Sequence, residues 1–196
     1  LPDGQWCRKG LYGYVYDHGL AEGICYLCSL LNIGNAIDLG CGPGYYVRTL
    51  RDSKIMARGF DGNPYVREQS LVVLGQTHFP CERIDLHRGI EAENATEMTI
   101  LLDVGEYIPE IYTDVVFDNV CRLSSKYAIV CWMDEKAAQA DGSQYVRTPL
   151  SCETVRNKMK VRGFFLDVLG TELLRVNSHL ADHTNNIQFF KKNEKE

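Results

Sequence analysis

The stretch Asn35-Ala-Ile-Asp-Leu-Gly-Cys-Gly-Pro-Gly-Tyr-Tyr-Val-Arg-Thr-Leu50 decides how the rest of the chain is read. Ala36, Ile37 and Leu39 make a short apolar run of strand type. Gly40, Cys41, Gly42, Pro43 and Gly44 make a sharp turn, and Val47 and Leu50 begin an apolar stripe at helical spacing. A strand, a glycine turn and a helix in direct succession form a ligand loop, because glycines at alternate positions expose bare backbone to whatever sits on the turn.

The spacing narrows the ligand. A dinucleotide loop needs a further small residue one step on, where the helix packs closely on the strand and its first amides face a pyrophosphate. Tyr45 stands there instead, and Pro43 removes one amide donor from the loop. A ligand without phosphates suffers less from both changes. Asp38 at the strand end adds a carboxylate, which favours a ligand carrying an ammonium and a sulfonium over a polyphosphate. The stretch resembles the first motif, E/D-x-G-x-G-x-G, of the class I S-adenosylmethionine-dependent methyltransferases.

Composition sets the frame. The chain has 196 residues, 45% hydrophobic and 24% charged, as expected for a single domain over 1–196 in which 1–34 is a lid or helix segment preceding the core. A formal net charge of -5 argues against a surface built to hold nucleic acid. No apolar run approaches the ~20 residues of a membrane span, and no leader pattern is visible, so a soluble, cytoplasmic protein is expected. The chain starts at Leu1, which leaves open an upstream segment or targeting signal. Eight cysteines are an even and high count, but Cys25, Cys28, Cys121 and Cys131 sit in apolar periodic segments and Cys41 in the glycine loop, where free thiols of a reduced compartment go. Cys25 and Cys28 have the spacing of a metal pair without a second pair to complete it, so no metal site is expected.

Along the chain, Trp6, Tyr12, Tyr14 and Tyr16 alternate with small or polar residues, the pattern of either a lid or an edge strand. A helix starts at Asp17 or His18 and runs to about Asn32. Beyond the glycine loop, Ile55 to Phe60 is a second strand that ends in Asp61-Gly62-Asn63-Pro64. An acidic residue about 20 positions past the first loop glycine is placed to accept both hydrogen bonds of a ribose diol. Pro64 suits the first turn of the next helix. Cys81 to Ile84 reads as a short third strand closing on Asp85-Leu86. Met98 to Leu102 is a continuous apolar fourth strand, of the kind buried on both faces of a parallel sheet. It runs into Asp103-Val-Gly-Glu-Tyr-Ile-Pro109. A helix over 111–123 and a fifth strand, Tyr127 to Trp132, follow. Residues 134–150 read as a mobile loop over the site. A helix over 152–162 carries the one basic stripe, Arg156, Lys158, Lys160 and Arg162. Phe164 to Val168, Thr171 to Leu180 and Ile187 to Lys191 close the chain as strand, helix and strand.

The methyltransferase resemblance covers nearly the whole chain, from near His18 to near Phe190. It implies a three-layer Rossmann-like α/β sandwich with a seven-stranded, mainly parallel sheet and an antiparallel last strand. It also implies S-adenosylmethionine as cofactor and S-adenosylhomocysteine as product. The cofactor would be held by Asp38, Gly40, Cys41, Gly42 and Gly44, by Asp61, Gly62 and Asn63 at the ribose, by Asp85 and Leu86 at the adenine, and by Asp103 near the methionine moiety. The segment after the fourth strand resembles a Glu-His-Ile/Val-Pro motif of small-molecule methyltransferases, with Tyr107 in the histidine position. Glu106 and Tyr107 are therefore the expected catalytic residues, and Tyr14, Asp17, His18 and Trp132 candidate pocket residues for the substrate.

Three functional classes follow: a small-molecule O- or N-methyltransferase, favoured by the acidic charge and compact domain; a methyltransferase acting on protein or RNA; and a non-catalytic S-adenosylmethionine-binding partner subunit. The Asp/Asn-Pro-Pro-aromatic signature of adenine amino-group enzymes is absent after the fourth strand. The Lys-Asp-Lys-Glu tetrad of ribose 2′-hydroxyl enzymes fails at Trp132-Met-Asp134, which holds no lysine. A nicotinamide-dependent oxidoreductase is a distant fourth. Acceptor and oligomeric state are not legible.

Overall fold

The computed structural model describes residues 14–75, 79–91, 95–141 and 145–193. Strand β1 (Asn35–Leu39) is buried on both faces, with Ala36, Ile37 and Leu39 inaccessible. It lies between β2 (Met56–Asp61) and β4 (Thr96–Leu102), parallel to both. Short β3 (Glu82–Arg83) extends the sheet beyond β2, and β5 (Ser124–Cys131) lies beside β4. Strand β7 (Gln188–Lys192) pairs antiparallel with both β5 and β6 (Phe164–Leu166). The order is β3-β2-β1-β4-β5-β7-β6, the seven-stranded, mainly parallel sheet with an antiparallel last strand that the family resemblance implies. The order of connection reverses between β1 and β4, so the loops after these two strands diverge and leave a crevice at their carboxyl ends.

The two faces carry two cores, as the pleat demands. On one, α1 (His18–Leu31), α2 (Tyr45–Asp52), α3 (Val66–Leu74) and α7 (Val168–Asn177) bring Leu20, Ile24, Val47, Leu50 and Leu174 against Ile100, Ile129 and Phe189. On the other, α4 (Thr113–Leu123) and α6 (Cys152–Lys160) bring Val116, Phe117, Val120 and Met159 against Ile37, Leu101, Val130 and Phe190. Neighbouring strand residues such as Ile100 and Leu101, or Phe189 and Phe190, point into opposite layers. That alternation makes three layers out of one sheet.

The helix starts follow local chemistry. Asp17 caps α1 by accepting from Leu20 N, Ser151 caps α6 from Thr154 N, and Asp167 caps α7 from Gly170 N. The last cap corrects the sequence reading: α7 begins at Val168, not Thr171, and β6 stops at Leu166. Ser178 then ends α7 in extended conformation, and a separate short helix, α8 (Ala181–Asn186), precedes β7. The stretch 134–150 also differs from the expected mobile loop. It contains α5 (Glu135–Asp141), and its end is tied down: Arg147 N and Thr148 N both donate to Glu106 O, and Leu150 N donates to Met133 O. No helix among the described residues is long and apolar enough to cross a membrane.

Candidate functional site

The glycine loop leaves β1 with Gly40, Gly42 and Gly44 all at positive φ (77, 51 and 90°), conformations that a side chain would strain. Their faces are also covered. A Cβ on Gly40 would lie 2.1 Å from Val104 of the loop after β4, and one on Gly42 would lie 2.8 Å from the ring of Tyr14. The loop is pinned from β2 by Asp61, whose carboxylate accepts from Gly42 N (2.9 Å) and Asn63 N (2.7 Å). Burial raises the Asp61 pKa, and these two N–H groups oppose the rise.

Asp38 sits beneath the same loop, 2% exposed, with Oδ2 buried and without a hydrogen-bond partner among the described residues. Burial, and then the charge of Asp61, push its pKa up to about 7. A buried carboxylate whose oxygen lacks a donor calls for a positive ligand, since leaving it alone is expensive.

The N-terminal aromatics close over this region. Trp6 and Tyr12 lie outside the described residues. Tyr14 stacks on Tyr45 (5.6 Å), Tyr45 on Tyr16 (5.5 Å), and Tyr16 meets Tyr46 and His18 edge-on. Residues 14–17 have no strand pairing among the described residues, so of the two sequence readings the edge strand fails over this part. Burial, and then the charge of Asp38, raise the Tyr14 hydroxyl well above its usual pKa, and its ring lies against Gly42 of the loop after β1. His18 is exposed and packs on Tyr16.

Asp103, the first residue after β4, is held at φ 54, an uncommon backbone for a non-glycine residue and one often found at functional turns. Its Oδ2 lies 2.6 Å from Nε2 of His183, on α8. The other ring nitrogen, Nδ1, lies 3.0 Å from Asp17 Oδ2. Asp17 also accepts from Leu20 N, His179 N and Leu180 N. Burial disfavours the imidazolium, but the hydrogen bond and charge of Asp103, joined by those of Asp17, raise the His183 pKa to about 9. Burial likewise raises Asp17, yet its N–H donors and His183 bring its pKa below the usual value. An ion bridge thus joins the start of α1, the end of β4 and α8. Cys131, at the end of β5, has its thiol pKa raised by burial and by Asp103 and Glu106.

Asp103, Cys131 and His183 offer ligand atoms within 4.8 Å of one another. The 2.6 Å between the first and last is shorter than the roughly 3.3 Å separating two ligands of a tetrahedral zinc. The geometry is that of a shared proton.

Of the expected site residues, Asp38, Gly40, Cys41, Gly42, Gly44, Asp61, Asn63, Asp103 and Tyr14 gather at the loops after β1, β2 and β4. Glu106 is fully buried in the turn Gly105–Tyr107, and Tyr107 half-buried beside it. Asp85 follows β3, where its carboxylate accepts from His87 N and pairs with His87 and Arg88; Leu86 is buried in the second core. Trp132 is corrected from pocket wall to core. It is 1% exposed, donates its indole N–H to Thr148 O (2.7 Å) and stacks flat on Phe117. A Cβ on Gly105 would lie 2.1 Å from its ring. Gly105→Ala is therefore expected to lower the unfolding free energy by about 1–3 kcal/mol, read as a reduced midpoint in urea. The expected basic stripe runs past the end of α6, which stops at Lys160, and is half neutralised: Lys158 and Arg162 both pair with Asp114, and Arg162 also with Asp118, on α4.

Sequence reasoning missed His183 and Tyr46. Tyr46, 4% exposed, carries a hydroxyl whose pKa is raised by burial and by Asp103. Tyr46 directly follows the glycine loop but carries no signal of its own there, and His183 stands in no local motif; only the topology that sets α2 and α8 beside the ends of β4 and β5 joins them to the site.

No family model matches the sequence, and neither does any curated protein. Solved structures do. An S-adenosylmethionine-dependent methyltransferase from Clostridium acetobutylicum is similar with a TM-score of 0.69 at 12% identity, over 95% of this chain and 96% of that one. The sugar N-methyltransferase KedS8 from Streptoalloteichus gives 0.68 at 12% identity, over 90% and 88%. The magnesium protoporphyrin IX methyltransferase of Synechocystis, with bound SAH, gives 0.66 at 13% identity, over 88% and 82%. The chain has the fold of S-adenosylmethionine-dependent methyltransferases.

Proposed function

We propose that the chain is an S-adenosylmethionine-dependent methyltransferase transferring a methyl group to an O or N acceptor on a small molecule. The observation that carries the reading is Asp38, a buried carboxylate with a donorless oxygen under a three-glycine loop. The loop takes a ligand against bare backbone, and the carboxylate asks that the ligand be cationic. A cofactor with an ammonium and a sulfonium meets both demands, whereas the pyrophosphate of a dinucleotide brings negative charge to the buried carboxylate. Neighbours of the same fold are methyltransferases named for a sugar and a porphyrin, which supports the small-molecule class.

Asp38 and the glycine loop would hold the methionine end, Asp61 and Asn63 the ribose, and Asp85 with the Leu86 amide the adenine. The bound cofactor supplies an electrophilic methyl on sulfur. The protein's own work is alignment and exclusion of water. Tyr14 covers Gly42 and shields the loop from solvent. Glu106, three residues after Asp103 and sealed from solvent as the turn stands, would take the proton that a hydroxyl or ammonium acceptor must lose once the acceptor displaces that turn, and Tyr107, half-buried beside it, would orient the acceptor.

The test is formation of S-adenosylhomocysteine from S-adenosylmethionine in the presence of pooled small amines, phenols and sugars, followed by mass spectrometry. Glu106→Gln is expected to reduce turnover on the order of 100-fold while S-adenosylhomocysteine affinity stays within a few-fold. Cofactor binding with no turnover on any pool would point to a partner subunit instead.

A further inference from the structure

We infer that His183 is a positioning residue of the methyl-transfer site: bridging Asp17 and Asp103, it fixes at once the carboxylate after β4 and the helix start from which Tyr14 is laid over the glycine loop. The inference rests on the methyltransferase reading above.

Three observations carry it. First, His183 is 1% exposed, and both ring nitrogens are engaged by carboxylates, at 3.0 Å and 2.6 Å. Nothing about packing requires a histidine with two acidic partners there; an apolar residue would fill the same space without burying charge. Second, the partners are unequal. Asp17 is buried and fully committed, accepting from three backbone N–H groups besides His183, whereas the Asp103 side chain is 38% exposed. The bridge therefore runs from a fixed anchor to a group that faces the crevice. Third, Asp17 lies three residues after Tyr14, with Tyr16 between them stacked on Tyr45 of α2. Fixing Asp17 fixes the path by which Tyr14 reaches Gly42.

The bridge must carry a proton to hold two carboxylates. The groups around the ring are Asp17 at the start of α1, Asp103 after β4, Cys131 of β5 and Tyr46 of α2, with Asp182 and His179 on its own segment. Asp17 and Asp103 favour the imidazolium. The Cys131 thiol and the Tyr46 hydroxyl are both raised in pKa and so stay neutral around pH 7. The positive charge of His183 is thus retained through neutral pH and lost as pH rises past about 9. Below that range both contacts are charge-assisted; above it, at most one N–H remains to serve two carboxylates.

The experiment is calorimetric titration of the whole chain with S-adenosylhomocysteine from pH 6 to 10, with the ring nitrogens of wild-type His183 followed by NMR over the same range. The expected result is a wild type with a cationic ring at pH 7 and an affinity that falls on the alkaline side as that ring titrates. His183→Gln, and independently Asp17→Asn, should bind about tenfold more weakly at pH 7.5. In His183→Gln the alkaline limb should shrink to what the ligand's own amine imposes. A ring found neutral at pH 7 would overturn the inference without recourse to any variant. So would unchanged affinity and pH profile in a folded His183→Gln, or stoichiometric zinc in the purified wild type that the substitution removes. A wild type that binds neither S-adenosylmethionine nor S-adenosylhomocysteine would overturn the functional reading itself.

Discussion

Asp38→Asn is expected to stabilise the empty protein at pH 8 while weakening its hold on S-adenosylmethionine by tenfold to 100-fold. The two effects have one cause. Folding moves the Asp38 carboxyl into a site where burial and Asp61 lift its pKa from 3.8 to about 7. A carboxyl whose folded pKa is raised binds more protons folded than unfolded between those two values, so stability falls as pH rises through that window. Above pH 7 the full penalty is present, up to about 4 kcal/mol at 1.36 kcal/mol per unit. An amide of the same shape carries no such penalty, and the gain should vanish below about pH 4, where the acid is neutral in both states. Binding goes the other way. The ligand's ammonium would meet a dipole instead of a charge, losing a charge-assisted hydrogen bond of about 1.5–3 kcal/mol. In the wild type, affinity should climb as pH rises through 7 and the carboxyl ionises; in the variant that limb should be absent. Urea unfolding at pH 4 and pH 8, with calorimetric binding from pH 6 to 8, reads both. An apo protein destabilised at pH 8 by the substitution would contradict the account of Asp38.

Asp61→Ala should do more damage. Its carboxylate is the acceptor for Gly42 N and Asn63 N, so removing it leaves two loop N–H groups without their partner and frees the turn from β2. The same oxygens have lone pairs left for a ribose diol. Losing the loop's anchor and the diol contacts together should weaken S-adenosylhomocysteine binding about 100-fold or more. Fold stability should fall by only about 1–2 kcal/mol, because taking away a buried charge partly offsets the orphaned donors. Asp61→Asn, which keeps one acceptor oxygen, should fall between wild type and Asp61→Ala.

Much of this site was legible because its signals are local. Gly40, Gly42 and Gly44 announce their turn in the sequence, and Asp38, Asp61 and Asp103 each stand at or next to the end of a largely apolar run of strand length. The α/β class followed from strand and helix alternating along the chain, whereas the seven-stranded sheet with its antiparallel last strand followed from the methyltransferase resemblance. What could not be read is long-range. His183 reaches Asp17 across most of the chain, and no spacing rule connects them. Trp132 looked like a pocket residue because it ends a strand on the correct side. Its indole N–H finds Thr148 O and its face finds Phe117 only once 145–150 folds back onto the turn at Glu106. That fold-back also turned an expected open loop into an anchored segment. The displaced start of α7 is a smaller error of the same kind: Asp167 is a good cap, but Val168 and Leu169 are exposed and gave no apolar periodicity to mark the first turn.

In the proposed function the glycine loop, Asp38 and Asp61 hold a cationic, phosphate-free cofactor. Calorimetric titration of the wild-type chain at pH 7.5 with S-adenosylmethionine, S-adenosylhomocysteine and NAD, each separately, tests it most directly. One site is expected for each of the first two ligands, and no heat with NAD. Saturable binding of NAD, with none of S-adenosylmethionine or S-adenosylhomocysteine, would contradict it.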